Sequence, residues 1–403
     1  MRILLKIKYI LLSLLLFIFS TSFYAAEPSL RDKIGQMLIF GFQGKAVDES
    51  SPIARSIDED NIGGVILFDF NPQSQTFDKN IESPDQVKQL NQQLQRLTHN
   101  ANKAHHRVDL PLLISIDYEG GNVNRLHPRY GFPEIISPKQ IAKKSLEDAQ
   151  ASAALMAKTL RTAGFNLNFF PSLDVDVNPE NPIIGKRERS FSADPEKVAQ
   201  YAQVYSQAFG TSKIICTYKH FPGHGSSLTD SHLGFVDVTD TWGEQELTPF
   251  LQLLSQPKHC GMVMVAHIVN RKLDVTGAPA TLSYTMITGL LRHDLQFDGV
   301  VITDDMQMKA ITNYYGLATA VTLSINAGAD MLIFGNQLVD KFQDSKELID
   351  IIEKKVLSGE ISEQRINEAY QRIVQMKKSL QINHMARVKP SSNRIYNRVS
   401  NIR

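Results

Sequence analysis

Fourteen residues from Lys219, KHFPGHGSSLTDSH, hold three imidazoles and one carboxylate: His220, His224, Asp230 and His232. Such a set can chelate a metal ion or move protons. Pro222, Gly223 and Gly225 rule out the helix on which two histidines four apart would share a face, as they do in helical metallohydrolase motifs, so zinc is disfavoured. Asp230 and His232 stand two apart in a loop, where the carboxylate can orient the imidazole and raise its basicity. The stretch is therefore read as carrying an acid/base dyad, with no metal. His224 is read as a group that holds the loop by hydrogen bonds, and His220 is open to that role or to substrate contact.

Further candidates sit at the ends of apolar runs. Asp304 and Asp305 follow GVVIT, and a carboxylate at the rim of an apolar barrel can be a nucleophile, a base or a metal ligand. Side chains alternate along a strand, so only one of the two should point inward, and phase alone does not say which. Capping of the next helix is the competing role for the pair. Asp117 and Arg125 flank a Gly-Gly turn, where missing side chains allow a ligand close to the backbone and charged groups suit bidentate binding of hydroxyls or carboxylates. Arg189, in GKRERSFSADP, reads equally as an exposed or salt-bridged surface-loop residue and as a binding residue. Asp174 and His267 are read as strand-end groups that support their neighbours.

These residues need a scaffold that gathers strand ends. Eight short apolar or β-branched runs occur, at 36–42, 64–68, 112–118, 166–175, 213–220, 261–268, 299–305 and 328–335. Segments of helical periodicity lie between them, several opened by Ser, Asp or Pro and closed by Gly; the gap between the first two runs has the weakest pattern. No Gly-rich phosphate loop follows an early strand, so the pattern predicts a single α/β domain built as a (β/α)8 TIM-like barrel over 27–382, not an open doubly wound sheet. In that fold the C-terminal ends of the strands carry the active site, which is where Asp117, Asp174, Lys219, His220, His267, Asp304 and Asp305 fall.

The bulk composition sets limits on partners and location. Lys plus Arg number 43 against 42 for Asp plus Glu, so no global field draws in nucleic acid or an anionic membrane, and the ligand is expected to be small or neutral. Arg2, Lys6 and Lys8 precede an apolar run from Tyr9 to Phe19 that is shorter than the ~20 residues of a spanning helix. Residues 1–26 therefore read as a secretory signal, or as an uncleaved anchor, and residues 383–403 as a polar basic tail. Cys216 and Cys260 are the only cysteines and read as two small buried apolar residues, with a single bridge as the alternative.

The motifs IDYEGGNVNRL, NPENPIIG with RSF shortly after, KHFPGHG followed by DSH, and VVITDDMQM, in this order, resemble the family 3 glycoside hydrolases, specifically the single-domain β-N-acetylhexosaminidases that act on peptidoglycan fragments. The resemblance spans roughly residues 30 to 380. It implies a retaining exo-β-N-acetylglucosaminidase in which Asp304 attacks the anomeric carbon to form a covalent glycosyl-enzyme. It further implies that His232, paired with Asp230, donates and later accepts the proton, and that Asp117, Arg125, Arg189, Lys219 and His220 hold the hydroxyls of N-acetylglucosamine. No cofactor is implied. The expected partners are N-acetylglucosamine-containing glycans or muropeptides, and the protein is expected to act as a monomer on wall material in the periplasm or outside the cell.

An imidazole, with its ordinary pKa of ~6.5, exchanges a proton near neutrality without the burial a glutamic acid needs, and it leaves less negative charge beside an anionic acceptor. Phosphorolysis thus stays open beside hydrolysis, as do β-glucosidase activity and a catalytically idle barrel that binds muropeptides. Two features depart from the common family pattern. Ser226 and Ser227 stand where many members have Asp-Thr, and the run between Gly185 and Arg189 is longer than the usual form.

Overall fold

The computed structural model describes residues 27–339 and 342–381; the expected leader at 1–26 and the tail at 383–403 lie outside the described residues. Eight parallel strands close into a barrel: β1 (Leu38–Gly41), β2 (Gly64–Ile66), β3 (Leu113–Ile116), β6 (Leu167–Asn168), β7 (Ile215–Phe221), β8 (Met262–Val265), β9 (Val300–Asp305) and β10 (Met331–Phe334). The two remaining strands, β4 (Tyr118–Gly120) and β5 (Val123–Asn124), form a small antiparallel hairpin on the loop after β3. The fold expected from the sequence is the fold observed.

The strands are runs such as LIFG, LISI and MVMV, buried throughout, as a parallel sheet covered on both faces requires. Register is fixed around the ring by pairs such as Ile39 with Ile333, Val65 with Ile114, Leu167 with Ile215 and Val263 with Val301. Amphipathic helices wrap the outside, and their ends are written in the sequence. Ser83 caps Pro84–Ala104 by accepting from the Gln86 N–H, Ser145 and Asp148 form a capping box at Leu146–Ala163, and Gly164 ends that helix with φ 88°. The weakly patterned gap between the first two strands contains the short helix Pro52–Asp58. No described helix is long and apolar enough to cross a membrane.

Two expectations need correction. The run 166–175 is not one long strand; the ladder with β3 and β7 covers only Leu167–Asn168. Pro171 has no N–H to give the ladder, and the chain continues as an irregular segment held to β7 by the Leu173 N–H on the Lys219 carbonyl at 2.6 Å. Cys216 and Cys260 are also not independent thiols, since they form a disulfide between neighbouring strand regions. Register brings them together: Cys216 lies on β7 and Cys260 two residues before β8, which pairs with β7. Both are buried as expected, but sequence distance hid the pairing.

Candidate active site

The C-terminal end of the barrel opens into a cavity of about 400 Å³, a size suited to a small ligand. Asp117, Arg125, Arg189, Lys219, His220, Asp230, His232 and Asp304 all line it, so the residues expected to act in catalysis or to hold the substrate reach one space, while Asp174 and His267 are not among its lining residues.

At its floor is a buried charge network. Lys219, on β7, reaches Asp117 at 2.9 Å and Glu119 at 2.6 Å. Glu119 in turn takes Arg189 in a fork, Nε to Oε2 at 2.9 Å and Nη2 to Oε1 at 2.8 Å. Burial would raise the Glu119 carboxyl, but the Arg189 and Lys219 charges and hydrogen bonds outweigh it and bring its pKa down to about 2. Arg189 is therefore no surface-loop residue. Its guanidinium is enclosed, and it also donates to the Ile183 carbonyl at 3.2 Å.

His220 is oriented by the same network. Arg189 Nη2 lies 3.2 Å from His220 Nε2, and since guanidinium only donates, that nitrogen is the acceptor and the proton sits on Nδ1. Nδ1 then donates to Asp174 Oδ2 at 2.6 Å. Asp174 also accepts the His220 and His224 backbone N–H groups, so it supports its neighbours, as expected. His224 is held by Ser227 Oγ at 2.6 Å on Nδ1 and by Ser231 Oγ at 3.3 Å on Nε2; burial, with His220 nearby, pushes its pKa down to about 4. No cluster of three or more His, Cys, Asp or Glu suited to a metal occurs among the described residues.

The turn that carries these histidines is tightly packed. A Cβ on Gly225 would lie 1.6 Å from the Val175 carbonyl oxygen, and buried Glu246 accepts the Gly225 N–H at 2.9 Å and the Ser226 N–H at 3.3 Å. The Gly-Gly turn is likewise real: Gly120 and Gly121 have φ of 92° and 57°, closing the β4–β5 hairpin so that the Arg125 N–H reaches the Asp117 carbonyl at 3.2 Å. The Arg125 side chain approaches Asp69 at 3.6 Å.

The two neighbouring aspartates on β9 divide their tasks. Asp305 is tied into the backbone, its Oδ1 accepting the Gln307 N–H at 3.0 Å and the Gly335 N–H at 3.3 Å, and burial lifts its pKa to about 6. Among the described residues Asp304 accepts only the Asp305 N–H, at 2.8 Å. Burial would raise the Asp304 carboxyl, but His267, His220 and His232 around it outweigh that and lower it to about 2. Asp304 is thus the ionised carboxylate with free lone pairs, and Asp305 a turn-forming group. His267 supports both, donating from Nε2 to the Asp305 carbonyl at 2.9 Å and meeting Thr281 Oγ1 at 2.7 Å.

Above them is the loop after β7. Asp230 Oδ1 accepts the His232 backbone N–H at 2.8 Å and meets ring Nδ1 at 2.7 Å. A carboxylate only accepts, so Nδ1 carries its proton to Asp230 and Nε2 remains free. The His232 side chain is 45% exposed and that of Asp230 17%. Burial would raise the Asp230 carboxyl, but its hydrogen bonds from His232 keep it below the usual range. The loop's apolar residues Leu228 and Leu233 point to solvent, at 67% and 72% exposure.

Sequence reading missed several residues of the site. Glu119, fully buried behind the cavity floor, carries a signal in standing two residues beyond Asp117, in phase with it. Phe68, Phe70, Arg187 and Gln337 line the cavity, and neither motif nor periodicity marks them. Phe70 is held there by its loop: Gln337 donates to the Phe70 carbonyl at 2.7 Å, and buried Lys79 donates to Gln337 and to the Asn336 carbonyl, both at 2.7 Å.

Residues 29–376 match the family described as glycosyl hydrolase family 3 N terminal domain. The chain is 31% identical over 348 residues to beta-hexosaminidase A of Pseudoalteromonas piscicida, a match covering 79% of this chain and 54% of that protein. It is 34% identical over 253 residues to a beta-hexosaminidase of Idiomarina loihiensis, covering 61% and 72%. Among solved structures, the family 3 beta-N-acetylglucosaminidase from Paenibacillus sp. str. FPU-7 superposes with a TM-score of 0.79 at 33% identity, covering 91% of this chain and 65% of that one. The chain thus spans little more than half of the Pseudoalteromonas protein. With the barrel, the family match and the β-hexosaminidase relatives in agreement, the chain belongs to the family 3 glycoside hydrolases.

Proposed function

We propose that this protein is a retaining exo-β-N-acetylglucosaminidase that removes terminal β-linked N-acetylglucosamine from peptidoglycan fragments. The observation that carries the reading is the pairing, in one cavity, of an ionised carboxylate with free lone pairs, Asp304, and an imidazole whose outward nitrogen is free, His232. In the first step an Asp304 oxygen attacks the anomeric carbon. The bond to the glycosidic oxygen breaks, its electron pair stays on that oxygen, and the oxygen takes a proton from Nε2 of His232, which enters this step as the imidazolium, protonated on both nitrogens, and leaves it as the neutral ring. A glycosyl ester on Asp304 results. In the second step water attacks the same carbon, Nε2 accepts the water proton, and the Asp304 carboxylate is released. Asp230 keeps the Nδ1 proton in place throughout, so that Nε2 is the nitrogen that gives the proton in the first step and takes one in the second. Lys219, Asp117, Arg189, His220 and Arg125 hold the sugar hydroxyls, with Glu119 keeping the two floor cations in place.

The N-terminal pattern of basic residues and a short apolar run supports export to the periplasm or beyond, and the Cys216–Cys260 disulfide is of the kind that persists in an oxidising compartment. Asp304→Ala should abolish release of the chromophore from 4-nitrophenyl β-N-acetylglucosaminide, and a slow 2-fluoro sugar should trap an adduct on Asp304. Retained turnover in the variant sinks the reading, and so does an adduct on another residue.

A further inference from the structure

The run between Gly185 and Arg189 places Arg187 on the cavity wall. Four cations line the cavity, and three have carboxylate neighbours: Lys219 has Asp117 and Glu119, Arg189 has Glu119, and Arg125 has Asp69. Arg187 is exposed and has no side-chain hydrogen bond or ion pair among the described residues. Its neighbour Lys186 instead pairs with Glu180, at 3.0 Å.

The backbone around Arg187 is nonetheless fixed. The Lys186 N–H reaches the Asn181 carbonyl at 3.0 Å, the Glu188 N–H reaches the Gly185 carbonyl at 3.0 Å, and the Arg187 carbonyl accepts from Asn122 Nδ2 at 3.3 Å. The Glu188 carboxylate accepts from Ser137 at 2.6 Å and Gln140 at 3.0 Å. A guanidinium carried on a clamped loop, with no hydrogen-bonded partner among the described residues, keeps its donors available for an external anion. Arg187 lines the cavity together with Asp230 and the half-exposed His232, and like His232 it is an exposed residue, unlike the enclosed cations of the floor; its charge also helps to hold the Asp230 carboxyl below the usual range.

We infer that Arg187 is a specificity residue for the leaving group, selecting aglycones that carry a carboxylate close to the glycosidic oxygen. This rests on the glycosidase reading above and narrows its substrate class. A carboxylated leaving group meets Arg187 while the sugar is seated on the cavity floor, whereas a neutral one leaves the guanidinium solvated.

The test compares two pairs of substrates on the full chain at low ionic strength. One pair is the disaccharide N-acetylglucosaminyl-β-1,4-N-acetylmuramic acid with its lactyl group as free acid or as amide. The other is 2-carboxyphenyl and 2-carbamoylphenyl β-N-acetylglucosaminide, whose ortho group lies beside the glycosidic oxygen. The acid-to-amide ratio of kcat/KM should be about 5 in the parent, as for one partly solvated charge pair, and should shrink with added salt. It should fall towards 1 in Arg187→Gln, recover partly in Arg187→Lys, and stay at the parent value in Lys186→Gln. A parent ratio of 1 overturns the inference, as does an unchanged ratio in Arg187→Gln or an equal fall in Lys186→Gln. Stimulation of the parent by inorganic phosphate that disappears in Arg187→Gln also overturns it, because the anion at Arg187 is then the acceptor. If the parent cleaves the aryl pair but neither disaccharide, the peptidoglycan reading fails and the aryl ratio decides the inference alone.

Discussion

Replacing Glu119 by Gln keeps its shape and removes its charge. Glu119 has no exposed side-chain surface, and it accepts from Arg189 twice and from Lys219 once. In the variant Arg189 keeps only neutral partners, His220 and the Ile183 carbonyl, while Lys219 keeps Asp117. Breaking a buried pair from one side costs about 3–5 kcal/mol. The carboxyl's own titration gives a similar figure: its shift from 4.5 to about 2, at ~1.4 kcal/mol per pH unit, is on the order of 3 kcal/mol. The pKa is depressed in the folded state, so this stability is present above pH 4.5 and is lost as pH falls towards 2. Urea unfolding at pH 7 should therefore show Glu119→Gln less stable by about 3 kcal/mol, with the gap to the parent closing below pH 4.5. Because Arg189 orients His220, KM for an aryl β-N-acetylglucosaminide should also rise. Equal midpoints at pH 7 would refute the account of the floor network. So would a gap that stays constant down to pH 3.

The remaining tests address other parts of the fold. His232→Ala should lower kcat by about 10²–10⁴-fold, with a greater loss on aglycones of high pKa than on 4-nitrophenol; equal losses on both would remove His232 as the proton donor. Lys377 is buried and, among the described residues, has only Gln36 Oε1 and the Gly63 carbonyl as partners, each at 2.7 Å, and burial takes its pKa from 10.5 to about 7. The unfolded chain thus binds one more proton between those values, and parent stability should rise with pH across that window by more than that of Lys377→Met; parallel curves would contradict this. Removing the Cys216–Cys260 bridge, whose cysteines are 44 residues apart, with the double Ser variant should cost about 2–5 kcal/mol in urea unfolding, and no loss would argue against the bridge. Gly225→Ala forces a methyl group onto the Val175 carbonyl and should displace the histidine turn, seen as loss of kcat ahead of loss of folding.

Much of the site could be read in the chain because barrel geometry is periodic. A run such as GVVIT ending in Asp304 fixes both the strand and the end at which its last polar residue emerges, and the Gly-Gly after Asp117 can only be a turn. Local spacing likewise sufficed for Asp230 with His232, since that pair closes through its own backbone. Partnerships between distant segments could not be read this way. Arg189 and Glu119 are 70 residues apart, so their fork, the burial of Arg189 and the tautomer of His220 arise only when the loops after β3 and β6 meet. Whether Asp304 or Asp305 stays free was set by Gln307 and Gly335, whose N–H groups hold the second carboxylate. Cys216 found Cys260 through strand register, and Arg187 gained its place through the clamping of its loop. A sequence encodes propensity and phase within a dozen residues, whereas desolvation and pairing of charges depend on which chains share an interior, and only the closed barrel decides that.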